Sequence, residues 1–75
     1  MKALIEYLAR ALARNPEEVV VEEEHLGDRV ILRLHVSDED KGRVIGREGR
    51  IANALRALLH VAATRAGVRA TLDIE

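Results

Sequence analysis

The hydrophobic period of this chain switches three times between about 3.6 and two residues, and no other feature restricts its fold so much. Over residues 3–13, Leu4, Ile5, Leu8 and Leu12 fall on one side of a helical repeat, with Glu6 and Arg10 elsewhere, which predicts an amphipathic helix. The helix should stop before Asn15-Pro16, because proline disfavours a helical residue ahead of it. The run VVVEEEHLGDRVILRLHV, residues 19–36, then reads as a hairpin turning near Gly27 and Asp28. Its second arm is clear: Val30, Leu32, Leu34 and Val36 alternate with Ile31, Arg33 and His35. Helical spacing returns with a short helix to about Ile45, for which Ser37 or Asp38 is a plausible N-cap. A longer helix ending at Gly67 carries Ile51, Leu55, Leu58, Leu59, Ala62 and Ala66 as its apolar stripe. Val68, Ala70, Leu72 and Ile74 finally alternate with Arg69, Thr71, Asp73 and Glu75, a third strand with one buried face.

The order helix, strand, strand, helix, helix, strand predicts an α+β fold. About thirty residues of helix separate the second and third strands, enough for a crossover that lets them lie parallel, while the first two pair as a hairpin. The expected result is a three-stranded mixed sheet with three helices on one face, a single domain spanning residues 1–75. At roughly 0.05–0.15 kcal/mol per residue, such a chain has only about 4–11 kcal/mol of stability. It has no cysteine, and His25, His35 and His60 lack ligand spacing, so the core must rest on aliphatic packing with neither metal nor cofactor. No apolar run approaches the roughly 20 residues of a membrane span, and with the missing cysteines this points to a soluble cytoplasmic protein.

The formal net charge of −1 hides an asymmetry. Glu17, Glu18, Glu22, Glu23, Glu24 and Asp28 follow one another with no Lys or Arg between them, whereas Lys41, Arg43, Arg47, Arg50 and Arg56 face only Glu48. The basic part contains GREG, residues 46–49, between two predicted helices. Glycines at both ends of such a turn let a backbone ligand come close and allow dihedrals that other residues resist. The next helix begins there, so the N–H groups of Gly49, Arg50 and Ile51 and the dipole's positive end are a candidate seat for phosphate. Arg47 at the tip adds a mobile cation, Lys41, Arg43, Arg50 and Arg56 line the approach, and Val44 and Ile45 form an apolar floor for bases.

GRVIGREGRIANALRALL, with the strand and SDED segment before it, resembles the KH domain, whose signature is an IGxxG loop between two helices. The six-element order is similar to the type II KH topology, αββααβ. With LIEYLARAL and NPEEVVV included, the likeness covers essentially the whole chain and is greatest to small bacterial RNA-binding proteins of the KhpA type. The resemblance implies single-stranded RNA as partner, clamped by its backbone at Gly46, Arg47, Glu48 and Gly49. It also implies that Val44, Ile45, Ile51, Ala52 and Leu55 belong to the groove helices, and that Lys41 or Arg43 and Arg50 match basic positions of the family. Glu48 departs from a commonly neutral or basic position and Asn53 from a frequent lysine, and both lower the local positive charge. The family further implies a homodimer, or a heterodimer with a larger Jag-type KH protein. The implied role is post-transcriptional regulation or RNA chaperoning that affects envelope growth, division and cell shape.

Other readings of the same residues are weaker. As a plain corner, Gly46 would be a helix C-cap and Gly49 would relieve crowding. A Walker loop is excluded, since no Gly-Lys-Ser or Gly-Lys-Thr follows. Helix-turn-helix DNA reading through Arg50, Asn53 and Arg56 conflicts with the need for the ALRALL stripe in the core. Tyr7, the one aromatic, belongs to core or interface packing, and stacking platforms of the RRM or OB kind are ruled out. The acidic run at 22–24 reads as a solvated sheet edge that discourages aggregation. No nucleophile with an oriented base can be assembled, so neither an enzyme nor a small-molecule substrate is expected. The runner-up is a protein-interaction or dimerisation module with incidental RNA contact.

Overall fold

A computed structural model describes residues 1–75. The first helix, α1, spans Lys2–Leu12, and a single 3-10 turn at Pro16–Glu18 leads into β1, Val20–Leu26. The two-residue turn Gly27–Asp28 joins it to β2, Arg29–His35. A second 3-10 turn at Asp38–Asp40 runs into α2, Lys41–Ile45, and a third at Arg47–Gly49 runs into α3, Arg50–Ala66. The last strand, β3, is Arg69–Ile74. The element order is the one the periodicity predicts.

Strand β2 is central in the order β1-β2-β3, antiparallel to β1 and parallel to β3. Register decides the faces. Leu34 lies opposite Val21, and Val30 and Leu32 pair with Ala70 and Leu72. The core therefore joins Val21, Val30, Leu32, Leu34 and Leu72 of the sheet to Ile5 and Ala9 of α1, Val44 of α2, and Leu55 and Leu59 of α3. It is wholly aliphatic, and the helices cover one face of the sheet. The other face carries polar pairs between strands: Glu22 hydrogen-bonded with His35, and Glu24 in an ion pair with Arg33 at 2.9 Å. Their hydrogen bond raises the Arg33 pKa above its ordinary value. The acidic run at 22–24 thus lies on an edge strand, as expected, but two of its three residues, Glu22 and Glu24, reach across the ladder.

Three packing expectations need correction. The buried side of α3 is Ala52, Leu55, Leu59 and Ala63, at spacings of three, four and four; Leu58 and Ala66 of the predicted stripe are exposed. Helix α3 is apolar around more than half its circumference, and the sheet covers only one side. Tyr7 is 72% exposed on the outer side of α1, which removes it from the core. Val44 is fully buried, because α2 turns this residue, not Ile45, into the core between α1 and α3. No helix is long and apolar enough to cross a membrane.

Candidate nucleic-acid interface

The turn between α2 and α3 is built around two glycines with different reasons for being glycine. Gly46 caps α2 by donating its N–H to the Gly42 carbonyl at 2.9 Å, with φ 76° and ψ 172°. A Cβ there would sit 2.4 Å from Ile51 Cγ1 and 2.9 Å from the Ile51 backbone nitrogen. Close packing of the turn on α3 therefore fixes this position. Gly49 has φ 76° and ψ 14°, and a Cβ on it would meet only the Asn53 amide, at 4.0 Å. Crowding is relieved at Gly46 rather than Gly49, and the second glycine leaves bare backbone at the surface.

Between them, Glu48 is the only non-glycine residue with positive φ, at 58°. A left-handed conformation costs an ordinary residue about 1–2 kcal/mol. With two left-handed residues in succession, the tip projects Arg47 and Glu48 into solvent. Glu48→Gly is expected to raise the melting temperature by about 4–8 °C, from roughly 1 kcal/mol of relieved backbone strain. An unchanged melting curve would show that the tip carries no strain. The Glu48 carboxylate, although exposed, lies 3.6 Å from the Arg50 guanidinium and tempers the charge of that neighbour.

The donors at this turn are partly consumed within the chain. Gly49 N–H bonds the Gly46 carbonyl at 3.1 Å, and Arg50 N–H bonds the Arg47 carbonyl. Neither is free for phosphate, which corrects the expectation for two of the three donors, Gly49 and Arg50. Arg47 is the cation left over: it is exposed and has no carboxylate within ion-pair distance, whereas Arg50 is held by Glu48 and Lys41 lies 3.0 Å from Asp38. Arg43 is exposed at the start of the site, with its Nε 3.9 Å from Asp40. Arg56 turns toward the sheet and donates to the Leu72 carbonyl at 3.3 Å.

Ile45, Gly46, Arg47, Glu48, Gly49, Arg50 and Asn53 thus form one surface stretch. Ile45 is 39% exposed and can serve as an apolar floor. Val44 cannot, being in the core, and Lys41 and Arg43 stand a turn away among their own acids. The structure has no pocket, so a ligand here lies across open surface.

Sequence reasoning missed Asp40, which follows the N-cap expected at Ser37 or Asp38. The residue is fully buried, and its carboxylate accepts from Arg14 N–H and Asn15 N–H at 2.9 Å, Ser37 Oγ at 3.0 Å and Asn15 Nδ2 at 3.2 Å. The Arg14 N–H foremost, then Asn15 N–H and the two side chains, hold its pKa down at about 2 against the opposing effect of burial. The available signal was Ser37-x-x-Asp40, the spacing of a capping pair.

The family profile described as KhpA/KhpB, KH domain, matches residues 2–74. The RNA-binding protein KhpA of Halalkalibacterium halodurans is 43% identical over 74 residues, covering 99% of this chain and 97% of that protein. The RNA-binding protein KhpA of Treponema pallidum is 48% identical over 71 residues, or 95% and 89% of the two chains. Among solved structures, Era of Aquifex aeolicus bound to GDP and aluminium fluoride superposes with a TM-score of 0.57 at 15% identity. That match covers 97% of this chain and 28% of Era. A second Era structure, in complex with a nucleotide and a segment of 16S ribosomal RNA, gives 0.52 at 16% identity. The Era likeness speaks to the fold alone; the profile and the near full-length relatives show that the chain belongs to the KhpA/KhpB family of KH domains.

Proposed function

We propose that this chain binds single-stranded RNA, with the backbone of the strand crossing the Gly46–Gly49 turn and bases resting on Ile45. One observation carries this reading: the turn combines bare backbone at Gly49 with Arg47, an exposed cation that no carboxylate neutralises. Phosphates contact Arg47 and pass close over the turn where Gly49 has no Cβ, with Arg50 in reach once it leaves Glu48. Asn53, beside Gly49, offers an amide to the strand. Backbone contacts and one aliphatic floor distinguish bases poorly, so sequence discrimination is modest. The names of the relatives, RNA-binding protein KhpA, support RNA binding, and the role that goes with this reading is that of a post-transcriptional regulator or RNA chaperone.

With one or two phosphates neutralised, by Arg47 and by Arg50 once it leaves Glu48, the affinity for a short single-stranded oligoribonucleotide should fall with salt at a log–log slope of about −0.7 to −1.4. Fluorescence anisotropy over a salt series measures it, with the matching duplex as competitor. A slope near zero, or equal binding of the duplex, would count against the clamp.

A second reading is favoured by a different surface. Tyr7 on α1 and Leu58 and Val61 on α3 are exposed apolar side chains on helices that pack together. They suit a homodimer or a heterodimer with a larger Jag-type KH protein. A partner that supplied a second KH domain would raise affinity through effective concentration. No RNA binding, together with a stable dimer in sedimentation, would move the assignment to this reading.

A further inference from the structure

We propose that Asp40 is a positioning residue for the Gly46–Gly49 turn: its buried carboxylate ties the segment after α1 to the start of α2 and so fixes where the turn sits. The proposal rests on the RNA-binding reading only for its consequence, not for its geometry.

Helix α2 has five residues, too few to stand alone. Its direction is set by what holds it at each end. Val44 anchors the last turn in the core. At the other end Asp40 gathers donors from two segments distant from each other in sequence, Arg14 and Asn15 beyond α1 and Ser37 beyond β2. Asn15 Nδ2 also reaches Ser37 Oγ at 3.1 Å, which closes the cluster. Asp40 is the only charged residue in the molecule that is buried, and every buried polar side-chain atom is hydrogen-bonded. Without the carboxylate, the Arg14 and Asn15 N–H groups lose their acceptor and the junction opens. Only five residues separate Asp40 from Gly46, so movement there is transmitted to the turn.

A loosened turn occupies its binding geometry for part of the time, and apparent affinity falls by that fraction. The phosphate contacts at Arg47 are unchanged, and Arg43, which loses its Asp40 partner, stands a turn away from the Gly46–Gly49 turn. Asp40→Asn should therefore weaken RNA binding about 5-fold or more with the salt slope preserved, unlike any change to a contacting cation. Amide hydrogen exchange of residues 41–52 should rise about 10-fold while the amides of β2 and β3 keep their protection. Ser37→Ala removes one donor and leaves the carboxylate, so it gives the same pattern at smaller size and serves where Asp40→Asn does not fold.

Exchange that rises uniformly through β2 and β3 would reduce Asp40 to a global stabiliser and overturn the proposal, as would unchanged exchange at 41–52 or unchanged affinity in a folded variant. The exchange measurement needs no RNA. If the unaltered chain binds none, the RNA reading fails, and the exchange pattern still decides the role of Asp40.

Discussion

Gly46→Ala is expected to lose about 2–6 kcal/mol of a total near 4–11 kcal/mol, and so to melt roughly 10 °C or more below the unaltered chain. Two costs combine. The backbone at φ 76°, ψ 172° lies in a region essentially closed to residues with a side chain. The added Cβ also falls 2.4 Å from Ile51 Cγ1 and 2.9 Å from the Ile51 nitrogen. A rotamer change relieves the first contact but not the second, because the nitrogen moves only with the first turn of α3. Gly49→Ala meets open space and bears only the left-handed penalty, about 1 kcal/mol. Thermal denaturation of the two variants side by side is the test. Equal melting temperatures would mean that contact with Ile51 does not fix Gly46.

The contrast shows how far the sequence could be read. Two glycines three apart announce a turn, and the surrounding motif identifies the KH family, because motif spacing and element order are written in the chain. Which glycine is structural is not written there, since it depends on where Ile51 falls after α3 has packed. Val44 and Ile45 pose the same problem. In a five-residue helix no repeat is long enough to show which of two adjacent branched residues faces the sheet. Helix α3 is long, yet its alanines blur the boundary between its faces, and Leu58 was placed on the wrong one.

Ser37-x-x-Asp40 hints at a local pair, but the distant partners of Asp40 were illegible for another reason. Its donors at Arg14 and Asn15 lie 26 and 25 residues away, and local patterning carries no information about such partners. An acid beside a helix start has a sufficient local explanation in the dipole, which conceals the long-range one. Charge counting misled in the same way. Five cations against Glu48 suggested a broad basic approach, but Asp38, Asp40 and Glu48 each lie within ion-pair distance of one of them and Arg56 bonds the β3 backbone. What is left concentrates on Arg47.

That concentration makes the double change Arg47→Asp, Glu48→Asp the strongest test of the proposed grip. It shifts the charge of the tip by two units while leaving the backbone intact, because aspartate tolerates the left-handed conformation at position 48 better than glutamate does. Each unit charge within about 4 Å of a phosphate contributes about 1 kcal/mol in water. Loss of the cation and gain of an anion should therefore lower RNA affinity by about 10- to 100-fold. The salt slope should become shallower by about 0.7, since one fewer phosphate is neutralised. Circular dichroism should show an unaltered fold and a melting temperature no lower than before, because both substitutions are exposed. A folded variant that binds RNA as the unaltered chain does would remove Arg47 from the interface. Weaker binding with an unchanged slope would instead place the defect in the shape of the turn, the signature expected of Asp40→Asn. The two experiments read together separate the cation that touches phosphate from the carboxylate that holds the turn in place.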